Sequence, residues 1–224
     1  FVYANSNDFV GGWRGSRHHI DCSVIGEDRG AMQRDYWYTA SRVPGELMPA
    51  AEVGRIAGER TARRLNARKL GTVECPVLFE APEAADLIGS FVHAVSGGSL
   101  YRKASFLLDA LGTEVFPPHV AIGGEPHLPG ARGSAPFDGE GVAVQRMNLI
   151  EDGVLQSWFL DSTTARELGM TTTGHASRGV SAPPSPSPSN LYLEPGTLTP
   201  EQLIADTGTG FYITDLIGMG TNLV

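Results

Sequence analysis

Hydrophobic and polar residues alternate over positions 1–42 with the two-residue period of β-strands. The segments FVYAN, SRHHIDCSVIGED and DYWYTAS carry β-branched and aromatic residues between Asn, Asp and Gly punctuation, which predicts an antiparallel meander. Pro44 and Pro49 break that pattern, and the next stretch, AAEVGRIAGERTARRLNARKL, has apolar residues at helical spacing in Val53, Ile56, Ala57 and Leu65, with Gly71 as its expected stop. A short strand is predicted over 73–79. Pro82 then opens a helix running to about residue 95, as proline at a first helical position tends to do. Leu87, Ile88, Phe91, Val92 and Val95 recur at three and four, so this helix has a core face. The cluster Ser96-Gly97-Gly98-Ser99 breaks it, and a further helical stretch is predicted over 100–111.

From residue 115 to 138 the chain is rich in Pro and Gly and reads as strands joined by long loops, with proline confining pairing to edges. VAVQRMNLIEDGVLQSWFL gives the strongest hairpin signal, because Asp152-Gly153 suits a tight turn that needs positive φ. STTARELG predicts a short capped helix. PPSPSPS lies in a long loop and must be extended, since each Pro fixes φ and restrains its predecessor. TPEQLIADTG predicts a short helix and GFYITDLIG a final strand. Helices and strands mix without strict βαβ alternation. The predicted class is α+β: a β meander plus helix, followed by a strand-rich, mixed-sheet or barrel-like domain with flanking helices.

Composition changes this picture little. At 224 residues the chain can bury a sizeable core, and a net charge of −8 without a compensating basic run argues against a nucleic-acid or membrane surface. The densest basic segment, RTARRLNARK, reads as the solvated face of a helix. Cys22 and Cys75 form no CxxC or Cys/His cluster and are expected to be buried, reduced thiols, which fits a cytoplasmic protein. No apolar run approaches the roughly 20 residues of a membrane helix. The chain opens in what reads as mid-strand, with Phe1 rather than Met, and is expected to be a piece of a longer protein.

FVHAVSGGSLYRK is the stretch that most invites a chemical reading. His93 lacks a glutamate after it and a second histidine within six residues, so no zinc motif forms. His18 and His19 are adjacent in a predicted strand and point to opposite faces, and the spacing of His119, Glu125 and His127 matches no zinc motif. Ala94-Val95-Ser96-Gly97-Gly98 is a loose match to a nucleophile elbow, but a helix precedes it where that motif needs a strand. A helix beginning near Ser99, with Tyr101, Arg102 and Lys103 in its first turns, could hold an anion or carboxylate. Asp138 and Glu140, each beside glycine in PFDGEG, could bind a cation or an amine, or could simply cap a turn. In the Pro-rich loop, Asn190 and Tyr192 are candidates for contact with a partner or substrate. No catalytic residue is assigned, with His93 the weak candidate, and no metal ligand is assigned.

Three strings, SGGSLYRKASFLLDALG, GSAPFDGEGVAVQRMNLIEDGVLQSWFLDSTTARELGMTTTGHASR and PSPSNLYLEPG, resemble the TldD/PmbA family in order, spacing and block ends, over essentially the whole chain. YRKASFLLDALG is most similar to the PmbA (TldE) branch. The resemblance implies a two-subunit cytosolic metallopeptidase acting on small or unfolded peptides, linked to peptide maturation, antitoxin proteolysis and modulation of DNA gyrase. It also implies that the TldD branch carries H-E-x-x-x-H on a helix, where two histidines bind zinc and the glutamate activates water. Here His93 stands in the first histidine's neighbourhood without the glutamate or the second histidine. The implied protein is therefore a non-catalytic subunit with no cofactor of its own. Zinc is expected in a TldD-like partner, in a heterodimer or, alternatively, the chain forms a homodimer. Extended peptide is the implied ligand, and neither nucleic acid nor membrane is. The alternatives are a homodimeric hydrolase with a diverged site built on His93, Ser96 and Asp138, and a non-catalytic regulator of the gyrase-modulator kind. Residues 1–70 are expected to end the family's N-terminal α/β domain, and 71–224 to form most of the C-terminal domain.

Overall fold

In the computed structural model, which describes residues 1–217, the chain divides into two compact units. The smaller comprises residues 14–73 and 129–132, and the larger comprises 1–13, 74–128 and 133 onward. The class is mixed α and β, with the strands gathered into several small sheets.

The larger unit opens with a hairpin of β1 (Val2–Ala4) and β2 (Val10–Gly12). The long alternating run that follows belongs to the smaller unit, where β3 (His18–Asp28) pairs antiparallel with β4 (Ala31–Ser41) across its full length. Residues 1–42 are thus two separate hairpins rather than one meander. The second turns on Arg29 (φ 54°) and Gly30 (φ 79°), the two consecutive left-handed residues of a tight hairpin turn. His18 and His19 do lie on opposite faces of β3.

Helix α1 (Ala50–Arg64) covers one face of this hairpin with Val53, Ala57 and Thr61, buried at four-residue spacing. The close approach occurs at Gly26, where an added Cβ would stand 3.2 Å from Thr61 Cγ2. The helix stops at Arg64, with Asn66 left-handed (φ 59°), so Gly71 is not its cap. The basic segment also departs from expectation. Arg60 lies 3.3 Å and Arg64 3.5 Å from the buried Asp35 carboxylate, and Arg60 sits over the Trp37 ring. These two arginines flank the Ala57–Thr61 stripe, so they fold inward to neutralise a buried acid that would be costly unpaired.

In the larger unit, β5 (Val77–Phe79) leads into α2 (Ala81–Ala94) and α3 (Gly97–Tyr101). The predicted helix over 100–111 does not continue past Tyr101. Lys103 takes φ 54° and Ser105 Oγ accepts from Leu107 N, so the segment forms successive turns that drop Leu107 into the core and leave Phe106 exposed. Of the Pro- and Gly-rich stretch, only β6 (Ile122–Gly124) is a strand. The Asp-Gly hairpin forms as expected, with β7 (Met147–Glu151) and β8 (Val154–Leu155) flanking Asp152 (φ 49°) and Gly153 (φ 79°). Next come α4 (Ser162–Glu167), the two-residue strands β9 (Ala176–Ser177) and β10 (Ser185–Pro186), and β11 (Leu191–Leu193). A four-stranded antiparallel sheet forms in the order β11-β6-β7-β8. Helix α5 (Pro200–Thr207) carries a Thr199/Gln202 capping box, and β12 (Phe211–Ile213) pairs parallel with β5. The last residue of the expected final strand, Gly218, lies outside the described residues.

The core of this unit joins the α2 face (Phe91, Ala94, Val95) to Ile122, Leu149, Ile150 and Leu155 of the sheet and to Trp158, Phe159 and Leu160. Both cysteines are free and half-buried rather than buried. No helix among the described residues is long and apolar enough to cross a membrane.

Candidate functional site

The Ser96–Ser99 turn is built into the core. Gly97 N donates to Phe159 O and Phe159 N to Val95 O, which ties the end of α2 to the strand-like run before α4. Gly97 is needed there, because a Cβ would overlap the Thr164 hydroxyl and lie 2.9 Å from Leu160 Cδ2. His93 is on the exposed side of α2, while the next residue, Ala94, is fully buried. Tyr101, Arg102 and Lys103 are exposed, and α3, with its five residues, is too short to act as an anion-binding helix end. These residues do not fit a zinc ion: His93 has no second donor beside it, and a glutamate at position 94 would be driven into the hydrophobic core. Among the described residues no three or more His, Cys, Asp or Glu side chains cluster at metal-binding distance.

A different place collects the polar groups. The turn carrying Asp138, the chain around His175 and the Pro-rich loop through Ser189 together line a cleft of about 290 Å³. Asp138 organises it. Its Oδ1 accepts from Glu140 N and Val142 N, both at 2.9 Å, and its Oδ2 accepts from Ala176 N at 3.0 Å. Both oxygens of this buried carboxylate are therefore occupied by backbone, and Asp138 is a turn cap that also clamps β9. Glu140 has a similar task, accepting from Ser162 N at the start of α4. Gly139 makes the crossing possible: its N–H donates to Ala176 O, and a Cβ there would stand 3.0 Å from that oxygen and 3.1 Å from Arg178 N.

Asn190 fastens the Pro-rich loop. Its Nδ2 donates to Glu125 O and Ser134 Oγ, and its Oδ1 accepts from Gly133 N. Tyr192 lays its ring against Gly123, where a Cβ would be 3.0 Å from the Tyr192 hydroxyl oxygen. Of the residues predicted from sequence, Asp138 lines the cleft, Asn190 and Glu140 brace its walls, and Tyr101, Arg102, Lys103 and His93 are not among its lining.

The apolar wall comes from the first hairpin and its continuation. Phe9 and Trp13 each meet Phe137 edge-on, at 5.0 and 4.9 Å between ring centres. Two further lining residues, His175 and Arg178, were not anticipated. The His175 ring meets Phe159 edge-on and its Nδ1 lies 3.0 Å from Thr173 Oγ1. Burial holds its imidazole below the ordinary value of 6.5, against the opposing influence of the Thr173 backbone and the Asp138 charge. The unfolded chain protonates this ring near 6.5 while the folded chain resists, so its contribution to stability is full above that pH and declines as pH falls below it. Thermal unfolding between pH 7 and 5 is expected to show a smaller loss of stability in H175Q than in the parent protein.

The chain matches the PmbA/TldA metallopeptidase central domain over residues 1–65 and the PmbA/TldA metallopeptidase C-terminal domain over residues 72–224. It is 40% identical over 223 residues to metalloprotease PmbA of Escherichia coli O157:H7, covering 100% of this chain and 48% of that protein. Its fold superimposes with a TM-score of 0.87 on a crystal structure from Bacteroides thetaiotaomicron described as a candidate modulator of DNA gyrase, at 27% identity, covering 97% of this chain and 47% of that one. TldE from Thermococcus kodakarensis has the same fold, with a TM-score of 0.81 at 19% identity over 92% of this chain and 47% of that one. The chain spans about half the length of the curated relatives it matches.

Proposed function

Because the chain belongs to the PmbA/TldD metallopeptidase family, we propose that it serves as the PmbA (TldE)-type, non-catalytic half of a cytosolic two-subunit peptidase. In this reading a TldD-like partner carries the H-E-x-x-x-H helix and the zinc, and this chain supplies part of the surface that receives peptide. One observation carries the proposal. At the end of α2, where the resemblance sets the zinc motif of the sister branch, this chain has an exposed His93, a fully buried Ala94 and a Gly97 pressed against Thr164. That arrangement gives His93 neither a second ligand nor a neighbouring glutamate to activate a metal-bound water, and its glycine is required by packing.

The cleft supports the peptide side of the reading. It sits beside short strands and a loop held extended by Pro186 and Pro188, an environment in which a peptide backbone can lie alongside protein backbone. Metal analysis of the purified protein tests the proposal. The expected result is zinc far below one ion per chain after dialysis, with no restoration on adding zinc. A stoichiometric, tightly held zinc would overturn it.

A further inference from the structure

The backbone around the cleft limits how a peptide can be recognised there. Strand β9 has no free edge: Ala176 N donates to Asp138 Oδ2 and Ala176 O accepts from Gly139 N, while its other side pairs with β10. Beyond β10 the order Pro186-Ser187-Pro188 supplies two residues without an N–H, and Ser187 N already donates to His175 O. A peptide lying alongside this loop meets carbonyls without the alternating donors of a strand, so a complete ladder cannot form. Selectivity then falls to the side chain that enters the cleft.

The lining favours an apolar, uncharged side chain. Half-buried Trp13 and Phe137, 8% exposed, meet edge-on, and Pro126, Ala135, Val144 and Pro188 line the same cleft. Asn190 fixes the spacing of its walls, because it ties Glu125 O, Gly133 N and Ser134 Oγ to the loop that carries Pro188. Both signs of charge occur in the lining, Arg178 at an exposed position and Asp138 buried. A charged ligand group of either sign therefore meets one attractive and one repulsive neighbour, and taking it out of water is costly. His175 adds no charge at neutral pH, since burial holds its imidazole below 6.5. The volume, about 290 Å³, is at the small end of ligand sites and suits one side chain with its flanking backbone.

We propose that this cleft is a side-chain subsite for an aromatic residue within an extended peptide, with the ring packed against Trp13 and Phe137. An aromatic ring suits the place better than an aliphatic chain of similar size. The two wall rings already stand edge-on, and a third ring extends that packing at centroid separations of about 4.5–7 Å. The proposal rests on the reading that the protein handles peptides, and it names the residue class that is selected. It uses neither the partner subunit nor zinc, so the two can fail separately.

Isothermal titration of the purified protein with acetyl-Ala-Xaa-Ala amides tests it, with Phe, Leu, Pro, Lys or Glu at the central position. Blocked ends remove the terminal charges, so the differences report the side chain. The Phe peptide is expected to bind about tenfold or more tightly than the Lys and Glu peptides, and roughly threefold more tightly than the Leu and Pro peptides. Ala135→Leu, which fills the cleft, and Trp13→Ala, which removes a wall, are each expected to abolish the preference. Melting curves identify which variants are folded, and either one that melts like the parent decides the point. No binding, equal binding of all five peptides, Leu or Pro matching Phe, or a Phe preference that survives in a folded variant would overturn the proposal. N-acetylphenylalanine amide binding as tightly as the tripeptide would identify a small aromatic ligand and overturn the peptide assignment. An aromatic preference in a protein that holds stoichiometric zinc would leave this proposal standing and sink the one above.

Discussion

Asp138→Ala is expected to lower the melting temperature by roughly 10 °C, among the largest effects of any single side chain in this protein. Its carboxylate is 6% exposed and accepts three backbone N–H groups from two separate segments. Truncation leaves those donors without protein partners in a largely buried place. A hydrogen bond to a charged group is worth about 1.5–3 kcal/mol, and the three act as a unit rather than additively, so a total near 4 kcal/mol is reasonable. For a chain of this size each kcal/mol moves the midpoint by about 2–4 °C. Asp138→Asn separates the parts of this effect. Its amide oxygen can still accept from Glu140 N and Val142 N, but its NH₂ would face Ala176 N, donor against donor. It should therefore fall between the parent and Asp138→Ala by differential scanning calorimetry. A carboxylate with a purely catalytic or ligand role would give the opposite pattern, with both variants as stable as the parent.

Gly153→Ala is expected to be comparably damaging. Gly153 takes φ +79° in the turn between β7 and β8, and an added Cβ would overlap Phe116 O and come within 2.9 Å of Pro117 O. The same residue knits the turn to the chain beneath: its N–H donates to Val120 O, and its carbonyl accepts from Val115 N and Phe116 N. Neither the backbone nor the 115–117 segment can move without breaking these bonds. Gly30→Ala supplies the control. Gly30 also takes φ +79°, and a Cβ there meets nothing within 4 Å. That substitution should cost only the left-handed strain of about 1–2 kcal/mol, whereas Gly153→Ala should cost about 3 kcal/mol or more. Urea denaturation of the two variants measures the difference. Equal losses would show that the turn is not anchored on the 115–117 segment.

The elements that were legible in the sequence are those whose signal is local. The apolar spacing of α2, the Asp-Gly turn between β7 and β8 and the short capped helix α4 each specify their own conformation. The segment after α3 misled because its Leu-rich spelling matches helical propensity, while the turn at Lys103 and the Ser105 bond to Leu107 N hold it otherwise. Arg60 and Arg64 read as surface charge because their partner, Asp35, lies far away in sequence and meets them only when α1 packs on β4. The cleft was half visible. Gly139, between Asp138 and Glu140, marked a close backbone approach, and the Pro-rich loop marked an extended wall, and the two line the same cleft. His175 was passed over because only metal chemistry was asked of it. The signal lay in Thr-Thr-Thr-Gly-His, a run of hydroxyls close before an imidazole, which puts a hydrogen-bond partner beside the ring.

The central claim is that this chain contributes to peptide hydrolysis without a metal centre of its own, and reconstitution tests it most directly. The purified protein should leave a fluorogenic oligopeptide uncut, and hydrolysis should begin only on mixing with a TldD-type subunit that carries H-E-x-x-x-H. That activity should vanish with a zinc chelator, and His93→Ala in this chain should leave it unchanged. Hydrolysis by this protein alone, lost in His93→Ala, would contradict the account.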